Sequence, residues 1–356
     1  MGRIKAAVLL LLAAALTLTP GCADLNESDK LTIVPGLGFD REGGEYALIT
    51  EIVSEPEAEG SAGKPQSSLI DSRGRTITEA INNNILLSGN ILYYAHVQVI
   101  VIGREAAERG IWEYIDYVNG QNSFRLMLRP IVADGSAAEL MQAKALKTDV
   151  SSFELREILA SNERIYRAPD IPIYRLANDI LEEGIEGILP LAHIEDNQGE
   201  PTSKIAGTAL FVGDRLAGTL DETETQYLLW LRGKVEGGTV TLGKDVFEVI
   251  EGKTSLECGR NTVKIKLSVR MSAEEGSFDG ERTERELKEL IESDIAGLVK
   301  KLQTLGCDAA GFGRRLKRAN AGEWREVAEN WREQFGRLEV TVAAEPSVTV
   351  FKRTNR

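Results

Sequence analysis

The sequence predicts a mixed α+β fold in which small β-sheets are flanked by helices. Three observations lead to this fold class. Apolar runs of strand length, rich in β-branched residues, alternate with segments of helical period along the chain. Between residues 93 and 132, strand, helix and strand follow one another at the spacing of an α/β layer. The length of 356 residues indicates two or three domains.

The first 22 residues have the three parts of a secretory signal. A positive n-region with Arg3 and Lys5 precedes an apolar run over residues 6–18, and Gly21 leaves little bulk before Cys22. The apolar run is too short to span a bilayer, which takes about 20 residues. A cysteine directly after a small residue resembles the lipobox of bacterial lipoproteins, whose thiol receives a diacylglyceryl group.

Cys22 is therefore the predicted site of lipidation. Residues 1–21 would be removed as a lipoprotein signal peptide, and the polar residues 22–30 would form a lipid-anchored tether. Two acyl chains anchor a protein stably, whereas one chain binds only marginally. Thr19 departs from the lipobox pattern, in which leucine is usual at that position. The alternative is an ordinary secreted protein with a chance cysteine.

The charge balance of the chain excludes one class of partner. The formal net charge is −13, and cleavage before Cys22 would remove two basic residues and no acidic one. Nucleic-acid binding needs a basic surface, so we expect no nucleic-acid partner. After the signal no stretch reaches 18 uninterrupted apolar residues, so we predict no transmembrane helix.

In the first half of the chain after the tether, the sequence pattern predicts several strands, one of them buried, and three helical regions. Runs of β-branched residues predict the early strands. A near-continuous apolar run predicts that the strand at residues 93–102 is buried on both faces. Apolar residues spaced three and four positions apart predict the helices. The helix over 76–87 would present Ile77, Ala80, Ile81, Ile85 and Leu86 on one face. The predicted elements are strands at 31–34, 46–53, 93–102 and 126–132, a turn at 35–38, a mobile loop at 55–68, helices at 76–87 and 105–119, and helical period over 137–182, with a capping box from Ser151 to Glu154.

In the second half of the chain, glycines mark the boundaries of two further predicted domains. Gly184 and Gly187 mark one boundary, and Gly233, Gly237 and Gly238 mark the next. A hairpin turn is predicted at residues 213–214, and Asp221 is expected to cap the following helix. The predicted elements are strands at 188–194, 205–212, 215–220, 246–254, 262–271, 338–343 and 347–352, and helices at 222–231, 284–305, 311–318 and 323–335.

Several residues that could carry chemistry have simpler structural interpretations. His96 is predicted to be a hydrogen-bonded core residue of the buried strand. His193, beside Glu195 and Asp196, could form a weak metal site, but a surface pair is favoured. The acids at 221–224 could perform acid–base chemistry, but helix capping explains them better. The tryptophans are predicted to lie mostly in the core: Trp112, Trp230, Trp324 and Trp331.

The sequence contains none of the known active-site motifs considered next. The sequence has no His-Glu-x-x-His, no cysteine pair at zinc spacing, no phosphate loop and no nucleophile elbow. We therefore expect no catalytic residues, no metal, no cofactor and no enzyme activity. Cys258 and Cys307 could pair outside the cytoplasm or be two buried thiols, and the sequence leaves both possibilities open.

An ordered set of motifs carries a family resemblance over essentially the whole mature chain. The set follows Cys22 in the order 33–40 (IVPGLGFD), 71–80 (DSRGRTITEA), 96–103 (HVQVIVIG), 188–190 (ILP), 205–214 (IAGTALFVGD), 220–225 (LDETET) and 227–234 (YLLWLRGK). Together they resemble the Ger(x)C family, the lipoprotein C subunits of spore germinant receptors. Ala23 departs from the family pattern, in which tryptophan usually follows the lipid-bearing cysteine.

The resemblance implies a three-domain fold and a non-catalytic role. With the glycine boundaries, it predicts domains at 31–186 (α/β), 187–236 (β-β-β-α) and 237–356 (α+β), after the signal at 1–21 and the tether at 22–30. It implies assembly with membrane-embedded A and B subunits at the spore inner membrane, with lipid attached through Cys22. The alternatives are an extracytoplasmic solute-binding lipoprotein and, less well supported, a lipid-anchored hydrolase of the spore wall.

Overall fold

The computed structural model describes residues 31–54, 66–233, 235–274 and 279–351. It confirms the predicted mixed α+β class. The strands are Leu31–Glu42 (β1), Glu45–Ser54 (β2), Gln66–Gly74 (β3), Ile91–Tyr93 (β4), Val99–Ile102 (β5), Arg129–Ala133 (β6), Ile188–Asn197 (β7), Glu200–Val212 (β8), Arg215–Leu220 (β9), Thr239–Leu242 (β10), Asp245–Cys258 (β11), Thr262–Glu274 (β12) and Glu339–Phe351 (β13).

Helices flank the strands throughout the described chain. They are Ile77–Ser88 (α1), Arg104–Arg109 (α2), Trp112–Gly120 (α3), Ala137–Gln142 (α4), Ser151–Ile165 (α5), Ile173–Leu181 (α6), Glu222–Arg232 (α7), Gly280–Leu305 (α8), Phe312–Ala319 (α9), Ala321–Val327 (α10) and Trp331–Gly336 (α11). None of the helices in the described ranges combines the length and the apolar character needed to cross a membrane.

One large mixed sheet organises the described part of the chain from residue 31 to residue 220. Its order is β3-β2-β1-β5-β6-β7-β8-β9, with β4 also paired to β1. Strands β1, β5, β6 and β7 are parallel, and antiparallel strands extend the sheet on both sides. Because β7 pairs with β6 at Val132 and Leu191, the sheet crosses the predicted domain boundary at residue 187. The predicted small sheets on the two sides of that boundary are thus one sheet, and the division into domains stays a prediction.

The second sheet has the order β10-β11-β12-β13 and packs against α8. The predicted stripe of this helix is buried as expected, through Leu287, Ile291, Ile295, Leu298 and Leu302. The long helix also closes the sheet edge at β13. Glu292 accepts a hydrogen bond from the backbone N–H of Ala344 at 2.9 Å, and Glu284 accepts one from Val348 at 3.0 Å. Pro346 lies between them and has no N–H, so this stretch of edge offers few donors to another strand.

The motif at residues 33–40 brings β1 close to two helices. A side chain on Gly36 would place its Cβ 1.8 Å from the Ser152 hydroxyl, so glycine is required for this approach. Further along, the Asp40 carboxylate accepts hydrogen bonds from Ser136 Oγ at 2.8 Å and from the backbone N–H of Ala137 at 2.8 Å. Asp40 therefore holds the start of α4, and the motif is explained by packing.

Local patterns were misleading where the chain pairs with distant segments. The turn predicted at 35–38 is wrong: β1 continues through it, with a bulge between Ile33 and Gly36 that accommodates Pro35. The helix predicted over 105–119 is two helices separated at Gly110. The strands predicted at 338–343 and 347–352 form the single strand β13, because an edge strand tolerates Pro346.

Two predictions for helices also need correction. In the first turn of α5, Ser151 is not the capping residue. The buried Glu51 carboxylate accepts from the Ser151 and Ser152 N–H groups at 2.8 and 2.9 Å, and Glu154 accepts from Leu146 and Lys147. On α1, the predicted apolar face is only partly buried. Asn84 is buried, whereas Ile85 and Leu86 are exposed.

Candidate functional site

The predicted lipidation site, Cys22, lies outside the described residues. The described chain begins at Leu31, the first residue of β1. Lipidation and the tether over 22–30 therefore stay predictions. Their position in sequence still matters, because Cys22 is nine residues from the start of the large sheet.

The structure places His96 differently from the prediction. The buried strand predicted over 93–102 is interrupted by a 3₁₀ turn, Tyr94–His96, between β4 and β5. His96 is exposed there, and its ring lies 5.4 Å from that of Tyr93, centroid to centroid. The prediction of a core histidine is wrong because the chain leaves the sheet for one turn.

His193, Glu195 and Asp196 lie along β7, and the structure gives them no shared site. Glu195 forms an ion pair with Lys204 of the neighbouring strand at 3.0 Å. No cluster of three or more histidine, cysteine, aspartate or glutamate side chains suited to a metal ion occurs within the described ranges. A cleft of about 280 Å³ next to His193 includes Asp134 and Glu139, but Asp134 is already hydrogen-bonded to Arg104.

The acidic segment at 221–224 forms the predicted helix cap. Asp221 Oδ1 accepts from the backbone N–H groups of Thr223 and Glu224 at 2.8 Å, and Glu224 accepts from the Asp221 N–H at 3.0 Å. Glu224 also pairs with Lys301 of α8 at 2.6 Å. The capping prediction is confirmed, and these carboxylates link α7 to the long helix.

The tryptophans are in the core, as predicted, with one at its margin. Trp230, Trp324 and Trp331 are buried, and Trp112 is half-buried against the same core. Trp230 donates its Nε1–H to Gly237 O at 3.2 Å. Each of these side chains therefore has a packing role.

Both cysteines of the described body are free thiols. Cys307 is fully buried and donates to the carbonyl of Phe211 at 3.1 Å, and Cys258 is half-buried. Burial raises the pKa of the Cys258 thiol from 9.0 to about 12 and raises that of Cys307 as well. Of the two possibilities that the sequence left open, the structure contains the unpaired thiols.

Raised thiol pKa values predict slow labelling of the native protein. At pH 8 we expect iodoacetamide to modify Cys258 and Cys307 only after unfolding in urea, because the thiolate is the reactive form. Unfolded thiols ionise near pH 8.5 while the native thiols stay protonated, so stability should fall as the pH rises above about 8.5. Mass spectrometry would read the labelling, and rapid modification of both thiols in native protein would contradict the prediction.

A buried charge cluster, which the sequence did not reveal, joins the two halves of the molecule. Asp179 of α6 pairs with Arg232 of α7 and, at 3.1 Å, with Arg314 of α9. Arg232 also donates to the carbonyl of Ala309 at 2.8 Å. Burial lowers the pKa of Arg232, and the facing Asp179 carboxylate opposes this shift. The cluster is therefore a structural link between distant segments.

Asp308 extends this junction, is 2% exposed, and has both carboxylate oxygens hydrogen-bonded within the protein. Its carboxylate accepts from the N–H groups of Phe312 and Gly313 at 2.9 and 2.8 Å and from Trp331 Nε1 at 3.0 Å. Burial raises the pKa of Asp308. An aspartate four residues before the first helical residue, Phe312, is a local signal that the sequence could have provided. The role of Arg232 has no comparable signal, because its partners are distant in sequence.

A cleft of about 330 Å³ opens beside this junction. Glu183, Glu186, Trp324 and Arg332 are among its lining residues. Burial raises the pKa of Glu186, which also accepts from the Gly213 N–H at 2.8 Å. Glu183 is paired with Lys317 at 3.0 Å. Glu183 and Glu186 are thus engaged with the protein itself, and no described serine, threonine, cysteine or histidine lines the cleft.

Comparison with known proteins adds information that the geometry alone does not contain. A family model described as "Spore germination protein N-terminal domain" matches residues 24–194, and one described as "Spore germination B3/ GerAC like, C-terminal" matches residues 206–351. Similar proteins of Bacillus subtilis (strain 168) include spore germination protein KC, 25% identical over 404 residues, covering 98% of this chain and 95% of that protein. Spore germination protein B3 is 22% identical over 342 residues, covering 88% and 90%.

The solved structures also include a similar fold. The crystal structure of the GerBC protein superposes with a TM-score of 0.54 at 17% identity, covering 88% of this chain and 96% of the GerBC chain. At this level of identity the similarity concerns the fold. It supports the mixed α+β class.

Proposed function

The chain belongs to the Ger(x)C family of spore germination proteins, and from this premise we propose that it is the lipid-anchored C subunit of a germinant receptor. In this role it would be needed for nutrient-triggered germination and would assemble with the membrane-embedded A and B subunits. It would lie on the extracytoplasmic face of the spore inner membrane. The observation that carries the proposal is the match of two family models to residues 24–194 and 206–351.

The buried carboxylates support a non-catalytic role. Asp40, Glu51, Glu154 and Asp308 are all buried, and each accepts hydrogen bonds from two backbone N–H groups. A catalytic acid or base must be able to exchange its proton with a substrate. These four carboxylates instead hold loops and helix starts in place, which suits a rigid body that presents its surface to partner proteins.

Deletion of the gene in its native host tests the proposal. We expect mutant spores to respond poorly to the nutrient that this receptor recognises, and to recover when the wild-type gene is restored. Loss of refractility and release of dipicolinic acid would measure the response. Normal germination on every nutrient in a strain that lacks this gene and all its paralogues would contradict the proposal.

A further inference from the structure

One edge of the large sheet carries an unusual concentration of exposed apolar side chains. We call it the basal edge: the edge at which the parallel strands β1, β5 and β6 begin. Half of the large apolar side chains that are exposed among the described residues lie there or in the adjoining last turn of α1. This basal patch comprises Ile33, Leu86, Leu87, Ile91, Tyr93, Leu126, Met127 and Tyr174. The most exposed is Leu86, at 81%.

Backbone pairing brings these residues to the same edge. Strand β4 runs parallel to the start of β1, with Ile33 opposite Tyr93, so the exposed side chains of β4 lie beside Ile33. The N–H of Arg129 donates to Gln98 O at 2.8 Å, which places Leu126 and Met127 next to the start of β5. Finally, the N–H of Ile173 donates to Leu128 O at 3.0 Å and brings Tyr174 to the same place.

Two segments of the basal edge carry no charged residue, although 27% of all residues are charged; the segment between β2 and β3, by contrast, contains Glu55, Glu57, Glu59 and Lys64. Residues 80–103 contain no aspartate, glutamate, lysine or arginine, and neither do residues 117–124. Arg125, which is exposed, follows the second segment. An apolar patch of this kind on an otherwise charged surface marks a contact with another molecule or a membrane.

The position of the predicted anchor identifies the contact. Strand β1 starts at this edge, and Leu31 lies nine positions after Cys22. A fully extended chain of nine residues spans at most about 30 Å. If Cys22 carries lipid, the start of β1 is therefore held within about 30 Å of the membrane, which favours the basal edge over the opposite edge as the one that faces the headgroups.

We propose that the basal patch inserts into the headgroup region of the bilayer as a second, non-covalent attachment of the body. This inference rests on the lipid anchor of the proposed function. Leucine, isoleucine and methionine side chains gain by entering the acyl boundary, and Tyr93 and Tyr174 suit the interface, where one end of the ring is apolar and the hydroxyl is hydrated. The contact is apolar, so it does not need anionic lipid and resists salt. The body would then be attached to the membrane at two points, by the lipid and by the basal patch. Two attachments give it a fixed orientation toward membrane partners.

Lipid-dependent quenching of a fluorophore tests the orientation. The lipidated full chain would be reconstituted in phosphatidylcholine vesicles that contain nitroxide-labelled lipid, with an environment-sensitive fluorophore on Asn122→Cys. Asn122 is exposed, lies near the basal patch and is not part of it. Asn197→Cys at the opposite edge is the matched control position. We expect severalfold stronger quenching at 122 than at 197, unchanged in high salt.

Polar substitution then asks whether the patch itself makes the contact. Leu86→Ser, Leu87→Ser, Leu126→Ser and Met127→Ser together should lower the quenching at 122 to the level at 197. Leu146→Ser, Leu181→Ser and Val246→Ser, which change exposed apolar residues elsewhere, should leave it unchanged. All these side chains are exposed, so both variants are expected to fold, and their thermal transitions would be compared.

A second form of the protein separates this inference from the anchor. A hexahistidine segment in place of residues 1–22 would tether the chain to nickel-chelating lipid without any modified cysteine. Strong quenching at 122 in this form supports the basal contact even if Cys22 is never lipidated. Equally weak quenching at both positions in both forms overturns it. If position 122 is protected from solvent only when the A and B subunits are present, the proposed membrane contact is also overturned. Such protection would identify a protein contact instead.

Discussion

Replacement of Cys22 by alanine should abolish lipidation and reduce germination to the level of the deletion strain. Alanine has no thiol to receive the diacylglyceryl group, so neither the lipid nor the cleavage that depends on it is expected. In the proposed function the lipid is the main attachment of the body. The basal patch alone would bind weakly, as even a single acyl chain gives only marginal binding, with an association constant of about 10⁴ M⁻¹.

Fractionation of spores and a germination assay on the same strain would measure this effect. Cys258→Ala is the matched control, since it removes a thiol from the folded body and should leave the protein in the membrane fraction. Recovery of the Cys22→Ala protein in the membrane fraction, with a normal response to nutrients, would disprove the lipid anchor. Loss of membrane attachment with normal germination would show that the anchor is dispensable for signalling.

Replacement of Asp179 by alanine should cause the largest loss of stability among single changes to the body. Asp179 is buried and faces two arginines, and Arg232 is almost as inaccessible. Removing the carboxylate leaves a buried positive charge without its partner. Breaking such a pair from one side costs about 3–5 kcal/mol. Since the free energy of unfolding of a domain is only about 5–15 kcal/mol, much of the protein could be unfolded at physiological temperature.

Urea unfolding at pH 7 would measure the change. Glu251→Ala provides the control, because Glu251 pairs with Arg270 at 2.7 Å with both side chains well exposed. Surface pairs contribute about 0–1 kcal/mol, so this variant should unfold close to the wild type. An equal, small shift in both variants would mean that water reaches Arg232 and that the junction is less closed than its contacts imply.

Patterns within a single segment predicted much of the fold correctly. The capping box at Asp221, the hairpin at residues 213–214 and the buried stripe of α8 all depend on residues close together in sequence. Strand β3 was missed because it is a polar edge strand, and edge strands need little apolar character. The start of α5 was misread because its cap is Glu51, about 100 residues away.

The sequence by itself indicated the family, through the order of short motifs, and it alone carries the predicted export signal and the predicted lipid site at Cys22. It also determined the fold class, through local hydrophobic period. Only the tertiary structure decided that one sheet runs across the predicted boundary at residue 187, that the two thiols are free, and that Asp179 meets two arginines. It also brought Leu86, Leu126 and Tyr174 to one edge. These features depend on contacts between residues far apart in the chain. No single stretch of sequence shows which distant residues will meet, so their interaction energies could not be inferred from local patterns.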